Sequence, residues 1–237
     1  NTLRETFKKV YETMSDNNYL RLERDTNRYV WVFWWQGEIQ MPILIKRCYI
    51  SLKRQMADKQ IILITKDNIK EYCTFPNYIF EKYENGKITL THLSDILRFD
   101  LLSHYGGLYT DATVFWTGNI LTEQFADLYT CGGYSDDYYF YVSKAKWTGF
   151  LIGGCKDNPL FSFMYDFFLE YWKQWDELID YFLIDYAMCF AYENNIGGFQ
   201  DYVDNIAVQN NPNLFKLMEV RNQKYTQEGE KALLSKT

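Results

Sequence analysis

The stretch Tyr29-Val30-Trp31-Val32-Phe33-Trp34-Trp35-Gln36-Gly37 decides the fold. Its apolar, β-prone run stops abruptly at Gln36-Gly37, which reads as a strand buried on both faces and ending at a loop. Pro42 then opens a helix through about Gln55, proline being suited to the first turn. Gln60 to Thr65 is a second buried strand, followed by a turn at Lys66-Asp67-Asn68 and a short helix near Ile69 to Tyr72. Strand, helix, strand is the opening of an α/β sheet with parallel neighbours. Ligands in such sheets collect beyond the carboxyl ends of the strands. The Trp34 to Gly37 segment and the Thr65 turn are therefore expected along one lip.

Upstream, Leu3, Phe7, Val10, Tyr11 and Met14 recur at helical spacing, and a polar connector follows. Downstream, a helix is expected from about Thr91 to Tyr105, broken by Gly106-Gly107, either of which can take the left-handed position after a helix end. Short strands are expected at Leu108 to Asp111, Val114 to Trp116, Leu128 to Cys131, Tyr138 to Val142 and Phe150 to Gly153. Two aromatic-rich helices follow, Pro159 to Gln174 and Glu177 to Asn194, and then a polar tail of weak periodicity. The expected organisation is a helix and connector over residues 1–28 and one α/β domain over 29–237.

The composition fits a globular domain with a sizeable core: 237 residues, 47% apolar, 24% charged. A net charge of −6 with no basic stripe argues against a nucleic-acid binder. The five cysteines are scattered and form no Cys-x-x-Cys pair, so buried, reduced thiols in a cytosolic protein are expected rather than a disulfide frame or a zinc site. Two histidines cannot build a histidine-rich metal centre. No apolar run reaches membrane-spanning length, and none of the chain reads as a signal peptide. The rings of Tyr171-Trp172-Lys173-Gln174-Trp175 could meet a membrane surface, but core packing accounts for most of them.

The residues that could carry chemistry are individually modest. Asp95 and Arg98 share one helical face, as in many surface ion pairs of small value. On spacing alone the surface pair is favoured over a fork for hydroxyl and phosphate oxygens. Asp111 sits at a strand end, where a carboxylate can meet a divalent cation or a ribose hydroxyl, or simply cap its own turn. Trp34 and Trp35 point to opposite faces, so one is expected to be buried and the other available as a flat platform, beside Gln36 and a glycine that permits close approach. Asp185 lies inside an apolar helix and either has a partner or faces water with Asp176 and Asp180. Gly153-Gly154 could bring backbone amides to a sugar, or form a turn.

Taken in order, strand, Trp-x-Gly, strand, Ser94-Asp95-Ile96-Leu97-Arg98 and Gly107-Leu108-Tyr109-Thr110-Asp111 resemble glycosyltransferase family 32, retaining sugar transferases with a GT-A fold. The order is similar to the catalytic domains of clostridial glucosylating toxins and, most of all, to bacterial capsular polysaccharide synthesis proteins. The resemblance is strong over Tyr29 to Trp116 and weaker to about Asp185. It implies a GT-A-like, Rossmann-like mixed sheet flanked by helices and a nucleotide-diphosphate sugar donor, UDP-linked. It also implies a saccharide acceptor that can be lipid-linked, and a cytoplasmic location with peripheral contact at the inner membrane face. By the same resemblance Trp35 stacks on the donor base, with Trp34, Gln36 and Ser94 beside it. Asp95 and Arg98 grip the sugar and its phosphate side, Tyr109 lies near the diphosphate, and Asp111 is the first aspartate of an Asp-x-Asp motif.

One departure matters. Thr113 stands where the second aspartate is expected, and a hydroxyl is a poorer ligand for Mn²⁺ or Mg²⁺ than a carboxylate. Donor binding is therefore better supported than metal use. The leading expectation is a retaining glycosyltransferase for capsular or other surface polysaccharide, with Asp111, Arg98 and Asp185 as catalytic candidates. The alternative is a non-catalytic nucleotide-sugar or saccharide binding module. A two-carboxylate glycoside hydrolase using Asp111 and Asp185 leaves the parallel α/β opening unexplained.

Overall fold

The computed structural model describes residues 2–15, 29–133, 142–156, 158–210, 214–215, 222–224 and 226–228. Its centre is a five-stranded mixed sheet of order β2-β1-β3-β5-β4. The strands are β1 Tyr29–Phe33, β2 Gln60–Ile64, β3 Gly107–Thr110, β4 Leu128–Thr130 and β5 Leu151–Gly154. β1 runs parallel to both β2 and β3, with Val30 opposite Ile61 on one side and Leu108 on the other. β5 is antiparallel to β3 and to β4. This mixed α/β sheet flanked by helices is consistent with the expected GT-A-like architecture.

The alternation along β1 assigns its side chains to two layers. Trp31 and Phe33 enter the larger core, with α5 (Leu90–Tyr105) and α6 (Pro159–Gln174). Val30 and Val32 enter a smaller core beneath α2 (Ile43–Gln55). A central strand covered on both faces explains why its sequence is a continuous apolar run rather than an alternating one. The helix α1 (Thr2–Ser15) joins the larger core through Phe7, whose ring centroid lies 4.5 Å from that of Phe167.

The helix α5 is the hinge between core and site. Thr89 caps its start by accepting the His92 N–H at 3.2 Å. Gly106 ends it at a φ of 67°, and Gly107 follows at 99°, so both glycines take positive φ. A Cβ on Gly107 would stand 2.5 Å from the Tyr29 carbonyl oxygen, so glycine lets β3 lie against β1 at this point.

Two expected elements differ. Val114 to Trp116 forms no strand, because Trp116 N–H is taken by the Ser51 hydroxyl at 2.9 Å. The second aromatic helix, α7 (Leu183–Glu193), starts six residues later than the expected Glu177. Tyr171 is the reason: its hydroxyl donates to Glu177 O at 2.6 Å and accepts from Ile179 N at 2.9 Å, holding that segment open. The strand expected at Tyr138 to Val142 falls outside the described residues except for Val142, which is in a turn. The short helix α3 (Ile69–Tyr72) forms as expected, and two further helices, α4 (Asn77–Glu84) and α8 (Phe199–Asn205), add to the expected set. No disulfide links the five cysteines. Among the described residues no helix is long and apolar enough to cross a membrane.

Candidate functional site

The carboxyl ends of β1, β2 and β3 and the start of antiparallel β5 meet along one edge of the sheet. Asp111 stands there, immediately after β3, its N–H bonded to Phe150 O at 2.8 Å just before β5. Its carboxylate is about a third exposed, with 36% of the side chain accessible.

Arg98 reaches this carboxylate from α5. Its Nη2 lies 3.3 Å from Asp111 Oδ1 and 3.3 Å from Asp95 Oδ1, and its guanidinium carbon sits 4.6 Å from the centroid of the Tyr109 ring. Arg98 is only 4% exposed and Asp95 8%, so this pair is internal and not a solvated surface bridge. Burial works against the guanidinium charge, but Asp95, Tyr109 and Asp111 more than offset it and the pKa of Arg98 is raised. Arg98 is thus held permanently charged.

Asp185, in the first turn of α7, accepts the Trp147 indole N–H at 2.9 Å. Burial raises its pKa; Trp147 opposes this, Asp95 adds to it, and Arg98 opposes it. Asp185 therefore belongs electrostatically to the same cluster. Its neighbours in sequence do not: Asp176 pairs with Lys87 at 2.6 Å and Lys82 at 2.9 Å, and Asp180 accepts the Phe182 N–H at 2.7 Å. Burial also raises the pKa of Asp111, which Arg98 counters and Asp95 reinforces.

Two participants carried no signal in the sequence. A Cβ on Gly149 would stand 3.1 Å from Arg98 Nη1 and 3.0 Å from Ile184 Cδ1, so a glycine keeps the space beside the guanidinium open. His92, buried against Phe168 and Trp172, brings Nδ1 to 3.5 Å from Asp95 Oδ2. Neither nitrogen of His92, nor Arg98 Nε, has a hydrogen-bond partner among the described residues.

The other expected residues are placed differently. Tyr109 is fully buried under Arg98, and burial raises its pKa; it presents a ring face to the guanidinium. Ser94 donates its hydroxyl to Thr91 O at 2.6 Å, within its own helix. Trp34 and Trp35 do take opposite faces, one on each core, but both are half-buried where one was expected to be free. Trp35 meets the Tyr83 ring edge-on at 5.2 Å, and Gln36 is exposed in the turn before Gly37. Gly153 and Gly154 form neither a turn nor an open amide cradle. They lie buried inside β5, where a Cβ would stand 2.5 Å from Gly107 O and from Asp127 O respectively, so they serve the close packing of β3 and the segment before β4.

The arrangement has a definite chemistry. Asp95 and Asp111 flank one guanidinium. Such a cluster is a poor trap for a bare anion, whereas carboxylates accept hydrogen bonds from hydroxyls well. A divalent cation needs several converging oxygen ligands. Among the described residues no three His, Cys, Asp or Glu side chains converge in that way. Asp111 keeps one oxygen on Arg98, and Thr113 is exposed two positions on.

A family model described as capsular polysaccharide synthesis protein matches residues 1–237. No curated protein and no solved structure matches the chain.

Proposed function

This chain belongs to the capsular polysaccharide synthesis protein family, and from that premise we propose that it is a glycosyltransferase acting in surface polysaccharide synthesis. The observation that carries the proposal is Arg98, buried and charged between Asp95 and Asp111 at the carboxyl lip of parallel strands. The likeness of the segment from Ser94 to Asp111 to family 32 transferases supports a nucleotide-diphosphate sugar as donor and retention at the anomeric carbon.

In this proposal Asp95 and Asp111 accept hydrogen bonds from sugar hydroxyls, and Arg98 fixes both carboxylates in place. Arg98 is a positioning residue here, since its accessible surface is too small for it to reach far toward a diphosphate. Asp185, held by the Trp147 indole N–H, orients acceptor or sugar. The bond from the anomeric carbon to the diphosphate oxygen breaks, a bond to the acceptor oxygen forms, and the acceptor proton passes to the departing diphosphate. No histidine base is needed for that route.

The test is donor turnover by the purified protein over a panel of nucleotide-diphosphate sugars, with and without Mn²⁺ and Mg²⁺. Release of nucleotide diphosphate, lost in Asp111→Asn, is the expected result. A second reading, a nucleotide-sugar binding module, is favoured by Thr113 in place of a second carboxylate. It predicts a donor-induced rise in melting temperature with no turnover on any acceptor.

A further inference from the structure

The three most exposed large apolar residues among the described ones fall within six positions: Ile39 at 95%, Ile43 at 79% and Leu44 at 68%. Single exposed apolar residues are ordinary, but a contiguous set marks an interaction surface. Ile50, 43% exposed, extends the set along α2. The helix buries Ile45, Cys48, Tyr49 and Leu52. On the opposite side Ile43, Arg47, Ile50 and Arg54 follow at helical spacing and form one outward ridge of alternating isoleucine and arginine.

We propose that this outward face of α2 docks the protein onto an anionic phospholipid surface. Charge complementarity identifies the occupant. From Glu38 to Gln55 there are four bases, Lys46, Arg47, Lys53 and Arg54, against one acid, in a chain whose net charge is −6. Lys53 is engaged by Glu38 at 2.7 Å, while no acidic group among the described residues pairs with Lys46, Arg47 or Arg54. Bases interleaved with apolar residues on a convex helix suit a headgroup boundary, where isoleucines enter the acyl edge and guanidinium groups stay at the phosphates. The acidic remainder of the chain is repelled by the same surface, which fixes the docked orientation. A second copy is a poorer occupant, because a two-fold contact across this ridge sets Arg47 and Arg54 of the two copies against each other. The face adjoins the crevice lip: Ile39 lies two residues after Gly37, and the Cys48 thiol on α2 donates to Thr113 O at 3.4 Å.

Docking is independent of turnover and is read without it. The protein is sedimented with vesicles of phosphatidylcholine containing phosphatidylglycerol, and with pure phosphatidylcholine vesicles, at low and high salt. The expected result is preferential, salt-sensitive binding to the anionic vesicles, reduced about tenfold or more in Arg47→Gln/Arg54→Gln. Ile39→Ser/Ile43→Ser/Leu44→Ser is expected to lose binding as well, with circular dichroism and donor-induced thermal shift unchanged in both variants. Absence of preference for anionic vesicles, or binding by both variants equal to that of the wild type, overturns the proposal. So does a concentration-dependent dimer in sedimentation velocity that the same substitutions dissolve while vesicles bind nothing. None of these results bears on donor turnover, so the transferase proposal fails or stands by its own assay.

Discussion

The helix α5 carries two buried aspartates five residues apart, and their surroundings could hardly differ more. Asp100 is completely buried and fully engaged. Its carboxylate accepts Thr74 N–H at 2.7 Å and the Thr74 hydroxyl at 2.6 Å, and His104 Nδ1 lies 2.9 Å away. Asp95 has longer contacts, 3.3 Å to Arg98 and 3.5 Å to His92, in a cluster that leaves Arg98 Nε and both His92 nitrogens without partners among the described residues. Buried polar groups are ordinarily paired, and an unpaired one costs about 1–3 kcal/mol. The Asp100 network spends its hydrogen bonds on tying the Thr74 segment to the helix. The Asp95 network holds back capacity next to an open edge. The first ties the fold together, and the second is the one the proposed donor site uses.

Substitutions can break this contrast, and the largest effect is expected at the second network. Asp111→Asn keeps the shape but removes a charge opposite Arg98. Turnover should fall about 100-fold or more, the scale of losing one preorganised polar contact to a transition state. Its melting temperature should barely move. Equal turnover in the variant and the wild type would sink the site assignment.

Asp100→Ala should do the reverse. It strands the Thr74 donors and His104, and a stability loss of about 2–4 kcal/mol is expected from denaturant unfolding. Turnover per folded molecule should be preserved. If activity collapses while stability holds, the contrast between the two networks is wrong.

Gly149→Ala sharpens the comparison within the site. The added methyl meets Arg98 Nη1 and Ile184 Cδ1 at 3.1 and 3.0 Å, both ends of side chains that can yield. Donor affinity should drop by about tenfold or less, corresponding to roughly 1 kcal/mol, with a small change in stability. Calorimetric titration of the donor checks this, and a variant that binds as tightly as the wild type would remove Gly149 from the site.

The smallest effect expected is a pH dependence of the structural network. Asp100 raises the pKa of His104 above its ordinary 6.5, chiefly by hydrogen bonding, against the opposing effect of burial. The stabilisation is therefore complete below pH 6.5 and is lost as pH rises through the raised folded-state value. Urea midpoints of the wild type and His104→Gln should converge on the alkaline side. A constant gap across neutral pH would contradict the assignment.

Much of this was legible in the chain because it is local. The apolar run at β1, the proline before α2 and the Gly106-Gly107 break each announce their own backbone. So did Asp95, Arg98 and Asp111, whose spacing fixes their faces once β3 is placed beside β1. What escaped depends on contacts distant in sequence. The late start of α7 is imposed by the hydroxyl of Tyr171, and the irregular Val114 to Trp116 by Ser51. Asp185 could be read two ways until Trp147 supplied its partner. Of Arg98 the spacing showed the shared face with Asp95, but not its burial as the internal counterion of both Asp95 and Asp111. Gly149 and His92 gave no sign, since a lone glycine and a lone core histidine look alike in any role.

The most direct measurement is a crystal structure of the protein soaked with a nucleotide-diphosphate sugar that supports binding. The account predicts sugar hydroxyls within hydrogen-bond distance of Asp95 and Asp111, with Arg98 still bridging the two carboxylates. A donor sugar bound elsewhere, with the carboxylates of Asp95 and Asp111 untouched, would contradict it.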